Sequence, residues 1–171
     1  MTMTSPLPLR IGPDSGDRVD IYGVGVRFLL RGSQTAESFA LVEHPIAPRA
    51  LAAEVHTHSR EDEWSFVLEG EVGFLLGDTE LVARAGDLVP KPRGIRHAFW
   101  NAGDGPARVL EIITPAGFEQ FFDHAAVIAA EHPDPEDETA FPKWQRLFDA
   151  YGVDWEPETI AQLAERHGLT G

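Results

Sequence analysis

Short hydrophobic runs alternate with turn residues over the first two thirds of the chain. The runs are a few residues long, and glycine, proline or aspartate separates them. They lie at residues 19–31, 39–43, 51–58, 64–68, 71–76, 80–83, 87–89, 97–101 and 107–114. Short strands at regular intervals with such turns are typical of a β-sandwich or barrel. We therefore predict a mainly β domain over residues 19–115.

The periodicity changes after residue 114 from strand alternation to the helical repeat. Phe118, Phe121, Phe122 and Ala125 share one helix face, as do Trp144, Leu147, Phe148 and Tyr151, and then Ile160, Leu163, Ala164 and His167. Thr114 and Pro115 predict the N-cap and first residue of the first helix. We predict an N-terminal arm over residues 1–18 and a helical C-terminal extension over 116–171, which packs on the barrel or on a partner subunit.

Two histidines separated by one residue precede a polar turn and a glutamate. His56 and His58 point to the same side of an extended strand, roughly 7 Å apart along it. The polar residues 59–62 predict a bend, after which Glu63 opens a new strand and can face the histidines. His97 begins a strand after a turn bracketed by proline and glycine. One arrangement uses all four side chains: they converge on a metal ion.

The alternative for the paired histidines is structural, with each imidazole hydrogen-bonded in a half-buried strand. An isolated pair favours that alternative, but the glutamate and third histidine favour a metal site. The other histidines, His44 in a predicted loop and His124, His132 and His167 in or beside the predicted helices, are assigned to surface or packing positions.

These residues lie in two motifs that resemble those of the cupin superfamily. The first motif is matched by His56, His58, Glu63 and Gly70, and the second by Gly86, Pro92, Gly94, His97 and Asn101. One position departs, since Ala50 stands where the family often has a turn glycine. The resemblance implies a double-stranded β-helix, the jelly-roll cupin barrel, with the predicted helices as a C-terminal extension.

Within the superfamily, the chain is similar to small bacterial single-domain cupins grouped with quercetin 2,3-dioxygenase. Residues 66–71, 92–94, 114–119 and 151–153 carry this similarity. For flavonol dioxygenases the resemblance implies that the metal binds a deprotonated substrate hydroxyl. The glutamate assists the deprotonation, and dioxygen cleaves the ring.

The ligand types limit the metal without identifying it. Imidazole and carboxylate suit one divalent transition metal ion, which can be Fe, Mn, Ni, Co, Cu or Zn. Four protein ligands leave coordination positions open for a small organic substrate or dioxygen. Glu63 is either a ligand only or also a catalytic general base. Strand alternation predicts Ser65, Val67 and Phe99 as walls of the substrate pocket, or simply as core residues.

The composition of the chain limits the classes of partner that it can bind. The formal net charge is −14, with 14 basic and 28 acidic residues, so we expect no nucleic-acid binding. The chain has no cysteine, which excludes disulfides and a thiolate metal site. It has no apolar run of signal-peptide type at residues 1–10 and none of membrane-spanning length, and we expect a cytoplasmic protein without membrane contact. Apolar strand residues Trp64, Phe66 and Leu68 predict a homodimer contact, unless the C-terminal helices cover them.

From the sequence we therefore predict a metal-dependent dioxygenase that acts on a small aromatic or enol-type, flavonol-like substrate. Cupins also include isomerases, decarboxylases and binding modules, so the fold does not fix the reaction. Two alternatives remain open. One is a non-catalytic module that binds a small molecule, and the other is a non-redox isomerase or hydrolase that uses the metal as a Lewis acid.

Overall fold

Two antiparallel sheets and three helices make up the computed structural model, which describes residues 10–169. The strands are β1 (Arg18–Ile21), β2 (Val24–Leu30), β3 (Ala40–Ile46), β4 (Leu51–His58), β5 (Asp62–Glu69), β6 (Glu71–Leu76), β7 (Thr79–Arg84), β8 (Leu88–Lys91), β9 (His97–Asn101), β10 (Ala107–Thr114) and β11 (Val153–Trp155). The helices are α1 (Glu119–Glu131), α2 (Phe141–Tyr151) and α3 (Ile160–His167). The sheet orders are β1-β2-β3-β10-β5-β8 and β11-β4-β9-β6-β7.

Alternation of side chains builds the sandwich. In β5, Glu63, Ser65 and Val67 are buried, whereas the side chains between them are half-buried. The β5–β6 connection turns at Gly70, which has φ +79°, and a Cβ there would lie 2.7 Å from the carbonyl oxygen of Pro106. The motif glycine is therefore required both by its backbone conformation and by this close approach.

The predicted mainly β jelly roll with C-terminal helices is confirmed, with one difference. The two sheets remain separate and pack face to face, so the β domain is a sandwich rather than a closed barrel. An apolar cluster fills the space between the sheets and includes Ile46, Val72 and Phe74. Beyond that cluster, α1 and α2 pack on the inner side of β2 and β3 through a second apolar cluster, which includes Val26, Val42, Phe121 and Leu147.

The predicted start of the first helix is wrong. Thr114 is the last residue of β10, where it pairs with Asp62, and its hydroxyl donates to the carbonyl of Ser38 at 2.9 Å. Because that hydroxyl bonds to the loop before β3, it caps no helix, and α1 begins only at Glu119. The predicted arm falls partly at residues 1–9, and the last two residues of the predicted extension are 170–171, all outside the described residues.

The C-terminal extension also contributes a strand that the sequence pattern did not predict. After α2 the chain turns at Gly152, which is left-handed at φ +69°, and β11 pairs antiparallel with β4. The third helix then packs on the outer side of the five-stranded sheet through Leu163, which joins Val55, Ala98 and Trp100. The extension is thus joined to the strand that carries the two motif histidines.

The outer face of the six-stranded sheet carries the residues assigned to a dimer contact. Trp64, Phe66 and Leu68 are half-buried, and Leu88 on the neighbouring strand is 53% exposed. The homodimer stays a prediction. Among the described residues, no helix is both long and apolar enough to cross a lipid bilayer.

Candidate metal centre

Three strands bring the predicted ligands together at one end of the sandwich. His56 and His58 lie at the end of β4, and His97 at the start of β9 is the cross-strand partner of His56. Glu63 faces them from β5 in the opposite sheet. One ligand atom from each of the four residues can be chosen so that all lie within 4.8 Å of one another. The bend at residues 59–61 thus lets the glutamate face the histidines across the two sheets.

The outer nitrogens of the three imidazoles are all held by acceptors. Nδ1 of His56 lies 2.6 Å from the carbonyl oxygen of Glu54, and Nδ1 of His97 lies 2.9 Å from that of Ile95. Nδ1 of His58 lies 2.5 Å from the Glu61 carboxylate. Since oxygen accepts in each pair, Nδ1 carries the proton. Nε2 of each ring is then the atom available to a metal, and the bond on Nδ1 fixes its direction.

The Nε2 atoms converge on Glu63. Nε2 of His56 and His58 are 3.0 Å apart, and Oε2 of Glu63 lies 3.5 Å from Nε2 of His58 and 3.3 Å from that of His97. The last pair lacks hydrogen-bond alignment, so Nε2 of His97 is a buried atom with no hydrogen-bond partner among residues 10–169. Three imidazole nitrogens and a carboxylate oxygen facing one point fit a transition metal ion.

Burial and charge shift the titration of these groups in different directions. Burial, together with His97 and His58, lowers the pKa of His56 well below its ordinary value. Burial also opposes charge on His58, but the Glu63 and Glu61 carboxylates outweigh it and raise the pKa of His58 to about 9. For Glu63, burial is outweighed by Lys91 and His58, which hold its pKa well below the usual range. Without a metal, an imidazolium therefore faces the carboxylate.

A buried chain of charges behind Glu63 was missed by the sequence reasoning. Nζ of Lys91 forms an ion pair with Oε2 of Glu63 at 2.9 Å and donates to Oε2 of Glu111, also at 2.9 Å. The Ser65 hydroxyl donates to the same Glu111 oxygen at 2.8 Å. Burial raises the pKa of Glu111 to about 7. The alternation of buried positions in β8 and β10 could have revealed this chain. It places Lys91 on the inward face with Val89, and Glu111 on the inward face with Val109 and Ile113.

Aromatic rings surround the polar cluster. The Phe118 ring meets the His58 ring edge to face at 4.4 Å, so a residue assigned to helix packing also contacts the site. His44, predicted in a loop, is instead a buried residue of β3 whose ring lies 6.0 Å from that of Phe99 and 5.3 Å from that of Phe122. Burial lowers the pKa of His44 to about 4, so this imidazole is neutral at pH 7.

The three predicted pocket residues have different surroundings. Ser65 is bound to Glu111, and Val67 belongs to the apolar cluster between the sheets. Phe99 belongs to that cluster as well, but its ring centroid lies 4.9 Å from Nζ of Lys91. Their role as pocket walls stays a prediction; Ser65 and Phe99 contact the polar cluster, whereas Val67 lies in the apolar one.

The site is closed on most sides. His58, Glu63 and His97 are buried, and His56 is half-buried. Trp155 of β11 is the cross-strand partner of His56, and its indole donates to the Glu54 carboxylate. The C-terminal extension thus borders the exposed side of the candidate metal centre.

Comparison with known proteins supports the cupin superfamily. Residues 43–113 match the family model described as Cupin domain, which is less than half of the chain but includes all four candidate ligands. The germin-like protein 1-1 of Oryza sativa subsp. japonica is 45% identical over 60 residues, which is 32% of this chain and 28% of the rice protein. The chain therefore matches less than a third of that relative's length.

Solved structures agree on the fold. An RmlC-like cupin from Shewanella frigidimarina has a TM-score of 0.56 at 20% identity, over 66% of this chain and 96% of that chain. A sugar phosphate isomerase of the cupin superfamily from Silicibacter pomeroyi has a TM-score of 0.55 at 24% identity, over 61% and 74%. The β-sandwich has the jelly-roll cupin fold, with a candidate His/His/Glu/His metal site.

Proposed function

We propose that this protein is a metal-dependent dioxygenase acting on a small aromatic or enol-type substrate. The observation that carries the proposal is the convergence of three Nε2 atoms and the Glu63 carboxylate at the end of the sandwich. Such a ligand set leaves coordination positions open for substrate and dioxygen. The similarity of residues 66–71 and 114–119 to the quercetin 2,3-dioxygenase group supports the same choice.

The proposed ion is held by Nε2 of His56, His58 and His97 and by Glu63. A divalent transition metal ion supplies positive charge that favours loss of a substrate hydroxyl proton, and a redox-active one also allows reaction with dioxygen. Glu63 is the base that takes this proton, because its carboxylate is ionised at neutral pH and faces the same point as the histidines.

Apolar rings give the site its substrate preference. Phe118 lies against His58, and Phe99 lies beside Lys91, so the walls near the ligands are aromatic. Flat aromatic or conjugated substrates fit such walls because offset and edge-to-face ring contacts stabilise them. The same rings exclude water from the reacting atoms. A small conjugated hydroxyl compound is therefore the proposed substrate class.

Oxygen uptake tests the proposal directly. Protein loaded in turn with Fe, Mn, Ni, Co and Cu is mixed with flavonols, catechols and β-diketones, and oxygen consumption is followed with an electrode. We expect uptake with at least one metal and substrate class, and none with the His58→Ala variant. The proposal fails if every metal-loaded form consumes no oxygen across the panel.

A non-redox enzyme is the second candidate function. The observation that favours it is the buried set of Lys91, Glu63 and Glu111, since such groups can donate and accept protons without dioxygen. The neighbour named as a sugar phosphate isomerase is consistent with this alternative, although its likeness concerns the fold. Turnover of a hydroxy-carbonyl compound under strict anaerobiosis supports this candidate. Strict dependence on oxygen excludes it.

A further inference from the structure

A continuous chain of hydrogen bonds and ion pairs crosses the inner face of the six-stranded sheet behind the candidate ligands. It runs from the Ser65 hydroxyl to Oε2 of Glu111, from there to Nζ of Lys91, and on to Oε2 of Glu63. The side chains of Lys91, Glu63 and Glu111 are 1%, 5% and 2% exposed. The three charged groups come from three adjacent strands, β8, β5 and β10.

A structural role alone does not account for these charges. Removing several ions from water is so unfavourable that apolar residues of similar volume often replace a buried ion pair without loss of stability. The neighbouring inward positions are apolar, with Val89 on β8 and with Val109 and Ile113 on β10. The strands would therefore tolerate apolar side chains at positions 91 and 111, and the charges have another use.

We propose that Lys91 is a positioning residue that holds the Glu63 carboxylate in its ligand orientation before any metal arrives. This inference rests on the proposed metal centre. Oε2, the oxygen bound to Lys91, is also the one that lies 3.3 Å from Nε2 of His97 and 3.5 Å from that of His58. Glu111, which accepts a hydrogen bond from Ser65, anchors the ammonium from the far side, so the carboxylate cannot turn away from the histidines without losing a buried ion pair.

The position of Lys91 supports positioning rather than direct chemistry. Its ammonium is shared between two carboxylates, and its charge also lies 4.9 Å from the centroid of the Phe99 ring. Holding a ligand in place reduces the ordering that metal binding would otherwise require. Groups behind metal ligands typically change metal affinity about 10–100-fold when they are removed.

The test is the double variant Lys91→Met/Glu111→Leu. It removes one positive and one negative charge together, so that neither member of the Lys91–Glu111 pair is left without the other. A matched control is Lys143→Met/Glu131→Leu, which removes an exposed ion pair of 2.7 Å in the C-terminal extension. Co²⁺ affinity is measured by titration calorimetry, and the visible absorption spectrum of the Co²⁺ form reports the ligand set. The Glu63→Gln variant provides the spectrum of a site with an altered glutamate ligand.

We expect the double variant to bind Co²⁺ about 10–100-fold more weakly. Its spectrum should shift toward that of Glu63→Gln, while the control matches the wild type. Wild-type affinity and spectrum in the double variant overturn the inference. Should the double variant fail to fold, Lys91→Gln decides by the same two measurements, since it removes the charge and keeps a polar side chain.

Failure of the inference is distinguishable from failure of the proposed function. In one outcome, the wild type binds Co²⁺ and the double variant shows the expected loss, but no metal form takes up oxygen. That result refutes the dioxygenase proposal and supports the positioning role of Lys91. If the wild type binds no Co²⁺, the proposed metal centre is refuted. Crystal structures of the two metal-free proteins then decide: a Glu63 carboxylate that keeps its distance of 3.3 Å from His97 without Lys91 overturns the inference.

Discussion

The two ends of the sandwich interior are built by the same strands and have opposite chemistry. One end is apolar and contains Ile46, Val67, Val72, Phe74, Ala83, Val89, Phe99, Ala107 and Val109. The other end contains His56, His58, Glu63, Ser65, Lys91, His97 and Glu111, which are buried apart from the half-buried His56. Alternation decides which residues face inward, but it does not decide whether those residues stabilise the fold or serve a reaction.

The energies of the two ends differ accordingly. Burial of a large apolar side chain contributes about 1.5–3 kcal/mol, so the apolar end stabilises the sandwich. Buried ion pairs are close to neutral or unfavourable relative to apolar replacements. The fold therefore depends on the apolar end, and the polar end is retained for what it binds. Substitutions at the two ends should separate stability from metal binding.

The largest expected loss of stability comes from the apolar end. Ile46 is 2% exposed and pairs with Ala107, which lies at the opposite end of β10 from Ile113, the cross-strand partner of Glu63. We expect Ile46→Ala to lower the free energy of unfolding by about 2–5 kcal/mol, since it removes apolar contacts and leaves a cavity. Urea denaturation measures this loss. The metal content of the folded variant should equal that of the wild type. If metal content falls together with the free energy of unfolding, the apolar and polar ends do not act separately.

The polar end should make the metal-free protein sensitive to alkaline pH. Glu63 and Glu61, acting against burial, raise the pKa of His58 from 6.5 to about 9. A higher pKa in the folded state means that folding is favoured while the proton is bound. This stabilisation is complete below pH 6.5 and is lost as the pH rises through about 9. The loss amounts to roughly 3 kcal/mol.

Urea denaturation in chelator between neutral and alkaline pH checks this dependence. The raised pKa of Glu111, about 7, acts in the same direction, but its contribution ends near neutral pH. Above that pH, the decline should vanish in the His58→Asn variant. A wild type whose stability stays constant between pH 7 and pH 9 would refute the imidazolium–carboxylate contact.

A smaller effect is expected where a side chain only orients a ligand. Glu61 accepts from Nδ1 of His58 at 2.5 Å. Replacing it by glutamine weakens this hold on the ring, and we expect metal affinity to fall about 10–100-fold. Calorimetric titration with Co²⁺ measures the change. Glu69→Gln is the control, because Glu69 lies on the surface at the end of β5 and pairs with Arg108; equal affinities in the two variants would refute the orienting role.

The candidate ligands could be predicted because much of their geometry is local and two sequence motifs contain all four. His56 and His58 share a strand, a short bend returns Glu63 to them, and a tight turn places His97 at the start of its strand. The first two steps depend on residues close in sequence, whereas His97 meets His56 through the pairing of β9 with β4 and was predicted from the second motif. The motif glycine at position 70 is equally local, since its left-handed turn follows directly after β5.

Other parts of the site depend on pairing between distant strands. Lys91 and Glu111 meet because β8 and β10 both flank β5, an order that no single segment reveals. Phe118 reaches His58 only because the chain turns after β10 before α1 begins, where the sequence predicted an immediate helix. β11 was missed because its three residues, Val153–Trp155, carry too short a pattern to separate from a loop.

The outer face of the six-stranded sheet allows a test of the predicted homodimer, with the smallest expected effect on stability. Phe66 is turned away from the interior, between its cross-strand partners Leu88 and Leu110. If this face joins two copies of the chain, Phe66→Lys places like charges near each other across a two-fold interface. We expect sedimentation to shift from twice 18.8 kDa to 18.8 kDa, with stability of the monomer changed by less than about 0.5 kcal/mol. Val127→Lys on α1, at a residue 56% exposed, should leave the dimer intact. A wild type that sediments as a monomer would show that this apolar face has no partner copy.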